Sequence, residues 1–63
     1  MFQSEISIPR DRVAVLIGRR GFIKRYIQRK TDTKIKITQE GDVFIEGEDN
    51  LNILVATTIV KAI

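Results

Sequence analysis

Cysteine and histidine are both missing from this 63-residue chain. Without cysteine there is no disulfide framework, no thiolate nucleophile and no thiolate metal site. Without histidine the chain lacks the usual general base near neutral pH and the commonest imidazole ligand. A catalytic centre would have to rest on paired carboxylates. Glu40, Asp42, Glu46, Glu48 and Asp49 fall in turns and exposed positions, with nothing around them to shift their protonation. No oxygen-ligand pattern for a hard cation is present either. The expectation is therefore no enzyme, no catalytic residue, no metal and no cofactor. Long apolar runs are also missing. Stretches such as Ile53–Ala56 are far below the roughly 20 residues that cross a bilayer, and the N-terminus has no signal-peptide pattern. The expectation is a soluble, cytoplasmic domain with no membrane partner. A chain of this size forms one domain, buries only about 60% of its unfolded surface, and suits a binding surface better than a deep pocket.

What is present is charge, unevenly placed. The net charge is +3, but ten basic residues lie between Arg10 and Lys36 (Arg10, Arg12, Arg19, Arg20, Lys24, Arg25, Arg29, Lys30, Lys34 and Lys36). Only Asp11 and Asp32 oppose them, a local balance of +8. From Ile37 onward Lys61 alone opposes five carboxylates, giving −4, and Glu5 contributes the remaining −1. An ordinary solvated face interleaves both signs. A segregated one is built to meet a polyanion.

Periodicity divides the chain into six elements. Phe2–Ile8 alternates, with Ser4, Ile6 and Ile8 on one side, and Pro9 stops it. Asp11 is the expected N-cap of a short helix that runs to Ile17, with Val13, Leu16 and Ile17 at helical spacing. Gly18 ends it. A second helix is expected from Phe22 to Lys30, with Ile23, Tyr26 and Ile27 as its apolar stripe and Thr31-Asp32 as its exit. Lys34–Ile37 alternates strictly, isoleucines inward and lysines outward. Gln39–Asp42 is a turn, and Val43–Ile45 is a third strand with Phe44 pointing outward, antiparallel to the one before it. Asp49 or Asn50 caps a closing helix over residues 51 to 63, with Thr57, Thr58 and Lys61 outward. The order β-α-α-β-β-α implies an α+β fold: a three-stranded antiparallel sheet with three helices on one face. The closing helix runs to Ile63 without a glycine, so residues 1–63 are expected to be a single domain excised from a longer protein.

The chemistry concentrates at Gly18-Arg19-Arg20-Gly21, between the first two helices. So short a reversal demands positive φ, which glycine tolerates, and glycine lets a ligand's backbone approach closely. Gly21 stands at the start of the second helix, where free N–H groups and the macrodipole favour an anion. Arg19 and Arg20 add forked donors suited to phosphate oxygens. Arg29 and Lys30 suit the negative end of the helix, and Lys34 and Lys36 suit a solvated sheet face. Tyr26 is expected to pack more than to stack on a base. No structural role accounts for Arg19 and Arg20.

The stretch Val15-Leu16-Ile17-Gly18-Arg19-Arg20-Gly21, followed by Ile27, Thr31 and Ile35-Lys36-Ile37, resembles the KH domains. With its flanking elements the resemblance covers essentially the whole chain, and the element order is similar to type I. The Lys24-Arg25 pair behind the loop looks most like the archaeal KH proteins of small-subunit ribosome biogenesis. The resemblance implies a module that holds about four nucleotides of single-stranded RNA in a groove, with the G-x-x-G loop on the backbone. Carried over by position, Gly18, Arg19, Arg20, Gly21, Lys24 and Arg25 meet the RNA backbone. Val15, Ile17, Phe22 and Ile27 line the groove, Ile17 and Ile27 chiefly as core residues with partial exposure to it, and Lys34 and Lys36 stand at its opposite rim. The implied setting is rRNA processing or small-subunit assembly, with rRNA and a neighbouring KH domain or assembly protein as partners. Three positions depart from the family pattern: Lys24 stands where an aliphatic residue is usual (Ile23 taking over the packing), and Asp32 and Arg20 stand where glycine is common. Two other readings remain. A KH-like fold can dock a protein through its acidic half or its sheet, and Leu16-Ile17-Gly18 before a helix also fits a helix-hairpin-helix that binds DNA, although that motif normally sits among helices.

Overall fold

The computed structural model describes all 63 residues, in the order β1 (Phe2–Ser7), α1 (Arg10–Ile17), a single 3₁₀ turn (Arg19–Gly21), α2 (Phe22–Thr31), β2 (Lys34–Ile37), β3 (Asp42–Gly47) and α3 (Asn50–Ala62). The strands form one antiparallel sheet in the order β1-β3-β2. This is the α+β architecture expected, with the element order of the type I arrangement. Strand β3 reaches Gly47, beyond the expected Ile45, because it is the central strand and pairs on both sides.

Alternation fixes which face is buried. Ile35, Val43 and Ile45 point to one side with Ile6 and Ile37, and the helices cover that side. Helix α3 lies over β1 and β3, α2 packs beside α3 and over β2, and α1 packs on α2. Leu16 from α1, Ile27 from α2, and Ile53, Ala56 and Val60 from α3 complete the core. Burying a side chain of this size contributes roughly 1.5–3 kcal/mol, so a core this thin depends on each of them.

Polar detail sets the ends of the elements. Helix α1 starts two residues earlier than expected. Pro9, with φ −59° and ψ 147°, occupies the N-cap, and its carbonyl accepts from Arg12 N–H at 2.9 Å. The expectation that Asp11 caps is thereby corrected: proline's fixed φ already directs the chain into the helix, and Asp11 falls in the first turn beside the positive helix end. Helix α2 ends at Asp32, in the left-handed conformation with φ 52°. There the Thr31 hydroxyl donates to the Ile27 carbonyl at 2.6 Å and lies 2.8 Å from the Thr33 hydroxyl. Gln28 Oε1 accepts the Ile35 N–H at 2.7 Å, tying α2 to the edge strand β2. In the turn before β3, Gly41 has φ 101°, and a Cβ there would lie 2.1 Å from the Ile8 carbonyl oxygen. Asp49 caps α3 by accepting from Leu51 N–H at 2.8 Å. Thr58 and Lys61 face solvent as expected and Thr57 is half-buried, but Leu51, Leu54 and Val55 are exposed as well.

Candidate nucleic-acid interface

Between α1 and α2 the chain reverses over four residues, three of them at positive φ. Helix α1 closes when Gly18 N–H donates to the Ala14 carbonyl at 2.9 Å; Gly18 then leaves the helix at φ 72°, ψ −175°. A Cβ at Gly18 would sit 2.3 Å from Cγ1 of Ile23, so glycine is required for two reasons, conformation and space. The turn is closed by Gly21 N–H donating to the Gly18 carbonyl at 3.3 Å and by Phe22 N–H donating to Arg19. Gly21, at φ 76° and ψ 16°, is the N-cap of α2, and no side chain caps it. The guanidinium of Arg25 comes within 4.0 Å of the Cβ position at Gly21. Arg19, Arg20 and Arg25 are all exposed, so three guanidinium groups cluster about the start of α2. Arg20 takes φ 55° and ψ 29°, a conformation proper to glycine, at the position where glycine is common in the family that the sequence resembles.

Ile23 takes the packing role expected of it: it is half-buried against the core and fills the space beneath Gly18. Lys24 is half-buried beside it. The expected groove lining is distributed more widely than the sequence implied. Ile17 is half-buried next to the loop. Ile27 is 2% exposed and belongs wholly to the core, so it has no surface to offer a ligand, and its assignment to the groove is corrected. Val15, 53% exposed, lies on α1 away from buried Leu16. Lys34 and Lys36 alternate with the inward Ile35 and Ile37, which puts them on the sheet face opposite the helices. There Lys34 stands across from Glu46 and Lys36 across from Phe44, which in turn pairs with Glu5. Lys34 lines a hollow of about 340 Å³ with Glu46, Glu48 and Asp32, remote from the loop and too acidic to attract a polyanion. The solvated-face reading of the two lysines agrees with this register better than the rim reading does.

Tyr26, with Phe22 beside it, is where the residue pattern misled most. Both rings are on the outer face of α2, 61% and 52% exposed, against the expectation that Tyr26 packs. Their centroids are 6.4 Å apart with planes 23° from parallel, and Lys30 Nζ lies 5.7 Å from the Tyr26 centroid. Exposed Arg25 and Arg29 share that helix face. The signal was available: residues 22, 25, 26 and 29 form an i, i+3, i+4, i+7 set on the helix face away from Ile27 and Thr31. An open hollow of about 550 Å³ is bounded by Arg19, Arg20 and Phe22. The arrangement can bind an extended anion through guanidinium groups. No helix is long and apolar enough to cross a membrane.

The comparisons with known proteins agree with this geometry. The family model described as the KH domain matches residues 3–62. The chain is 40% identical over 62 residues to a KH domain-containing protein of Methanocaldococcus jannaschii, covering 92% of this chain and 27% of that protein. It superposes on the crystal structure of Dim2p from Pyrococcus horikoshii with a TM-score of 0.92 and 42% identity, over 98% of this chain and 40% of that one. It also matches a chain of the a/eIF2alpha–aDim2p–rRNA complex from the same organism, with a TM-score of 0.88 and 44% identity, over 97% of this chain and 37% of that one. The chain therefore spans well under half the length of these relatives. With its loop between two short helices and its β-α-α-β-β-α order, the protein belongs to the KH domain family, type I.

Proposed function

We propose that this domain binds single-stranded RNA, with Gly18, Arg19, Arg20 and Gly21 against the sugar-phosphate backbone and Lys24 and Arg25 supporting them. The observation that carries the reading is the loop itself: two adjacent exposed arginines at the tip of a reversal, no acidic neighbour, and the guanidinium of Arg25 beside the start of α2. Forked donors of this kind suit phosphate oxygens, and KH loops of this form hold about four nucleotides by the backbone. The complex containing aDim2p and rRNA points to rRNA as the RNA class, and so to ribosomal RNA processing or small-subunit assembly as the setting. In that setting a neighbouring domain or an assembly protein shares the contact, since one clamp of this size binds weakly.

The test is a double substitution, Arg19→Asp with Arg20→Asp, titrated against a labelled single-stranded RNA by fluorescence anisotropy. Affinity should fall at least about tenfold, consistent with the loss of two charge-assisted contacts, with the circular dichroism spectrum unchanged. An affinity equal to that of the parent would sink the proposal. Competition with duplex DNA separates it from the helix-hairpin-helix reading. A protein-interaction role has one specific observation in its favour, the exposed Leu51, Leu54 and Val55 on α3. That helix face, rather than the acidic half or the sheet, is where such a partner would sit.

A further inference from the structure

Phe22 has no structural task. It begins α2, it is 61% exposed, and its loss would uncover nothing in the core. The ring is a large exposed aromatic at the mouth of a basic loop, and only one of its faces is covered. Tyr26 stands on one side of it, four residues along the helix, at 6.4 Å between centroids. Lys30 stands over Tyr26 in turn at 5.7 Å, so the three side chains form a ladder along the outer face of α2. The hollow of about 550 Å³ is bounded by Phe22 and the two loop arginines, and Tyr26 does not reach it. The free side of the Phe22 ring therefore opens onto the same space as Arg19 and Arg20.

We infer that Phe22 is a base-stacking residue: a nucleobase enters the hollow and stacks on the free face of the ring, while Arg19 and Arg20 hold the phosphates on either side of that nucleotide. Aromatic rings accept any base, because every base has a π-face, so the contact adds affinity without sequence preference. Tyr26 and Lys30 support the ring from behind. The surroundings favour a nucleic acid over a protein as occupant. From Arg12 to Thr31 there is no acidic residue, and Arg25, Arg29 and Lys30 flank the two rings on the same exposed helix face. The inference rests on the RNA-binding reading proposed above.

The chain contains no tryptophan, so Phe22→Trp introduces a single reporter at the proposed stacking position. Wild type, Phe22→Trp and Phe22→Ala are each titrated with a single-stranded RNA of mixed sequence, and affinity is read by anisotropy of a label on the RNA. Phe22→Ala should bind roughly five- to a hundredfold more weakly, the range for losing one base–aromatic stack. Its slope of log affinity against log salt should be unchanged, because no phosphate contact is lost. Phe22→Trp should retain binding, with its fluorescence quenched as RNA saturates it. Wild-type binding with Phe22→Ala undiminished, or Phe22→Trp bound to RNA with unaltered emission, overturns the stacking role and leaves the ring as a protein contact. Absence of RNA binding by the wild type overturns the parent reading instead, so the two failures are distinct. Thermal melts check that the variants stay folded.

Discussion

Arg20 sits at φ 55° and ψ 29°, in the left-handed region, where an L side chain is disfavoured by roughly 1–2 kcal/mol. Asp32 is in the same region at φ 52°, where Asp is better tolerated. Both stand where glycine is common in the family, and both take the left-handed conformation that glycine tolerates. At Asp32 nothing in the structure explains the exchange. At Arg20 the strain sits beside a second exposed guanidinium at the loop tip, as a functional contact held at the expense of local stability would. Arg20→Gly should therefore raise stability by up to about 1 kcal/mol, glycine's greater unfolded-state entropy offsetting part of the strain relief, and weaken RNA binding at the same time. Asp32→Gly should stabilise less and leave RNA binding alone. Thermal denaturation and anisotropy on the same samples read both, and parallel losses of stability and affinity in Arg20→Gly would refute the trade. At this scale the two loop glycines were legible in the sequence, because a four-residue reversal leaves them no alternative. The left-handed arginine was not, since nothing about arginine announces positive φ.

Elements were more legible than their contacts. Strict alternation gave Lys34–Ile37 its bounds, and the apolar spacing put Leu16 and Ile27 on inward faces. What periodicity could not separate was an inward residue sealed in the core from one that also lines a groove, and Ile27 was misjudged for that reason. It also could not reveal polar ties between elements. Strand β2 is an edge strand, and its Ile35 N–H points away from β3 to Gln28 Oε1 on α2. A half-exposed glutamine in a basic helix carries no sequence signal for that bond. Gln28→Ala should cost about 1 kcal/mol, the usual net worth of such a bond, or somewhat more if the N–H is left without water. Amide exchange at Ile35 should accelerate ahead of that at Val43 and Ile45 in the central strand. Equal protection of Ile35 in the variant and the parent would show that β2 is held by the sheet alone.

Across the whole molecule, folding redistributes the charge that the linear sequence displayed. Two of the ten cations in the basic segment, Lys34 and Lys36, go to the outer sheet face, among Glu5, Asp42 and Glu46. The other eight stay on α1, the loop and α2, where Asp11 alone opposes them. The polyanion-facing surface is thus narrower than the sequence implied, and its centre is the loop. Association should respond to salt accordingly. Each phosphate of a single strand that is neutralised contributes about −0.7 to the slope of log affinity against log salt, so three or four contacts give roughly −2 to −3. Exposed charges farther than about 10 Å from the RNA are screened at moderate ionic strength and add little. Replacing Lys34 and Lys36 together by Gln should leave that slope unchanged within error. Replacing Arg19 and Arg20 by Gln should make it shallower by about 1.4, two contacts' worth. If the lysine pair instead flattened the slope, the RNA would have to reach round the edge of β2 to the sheet face, with those lysines at the rim of its groove.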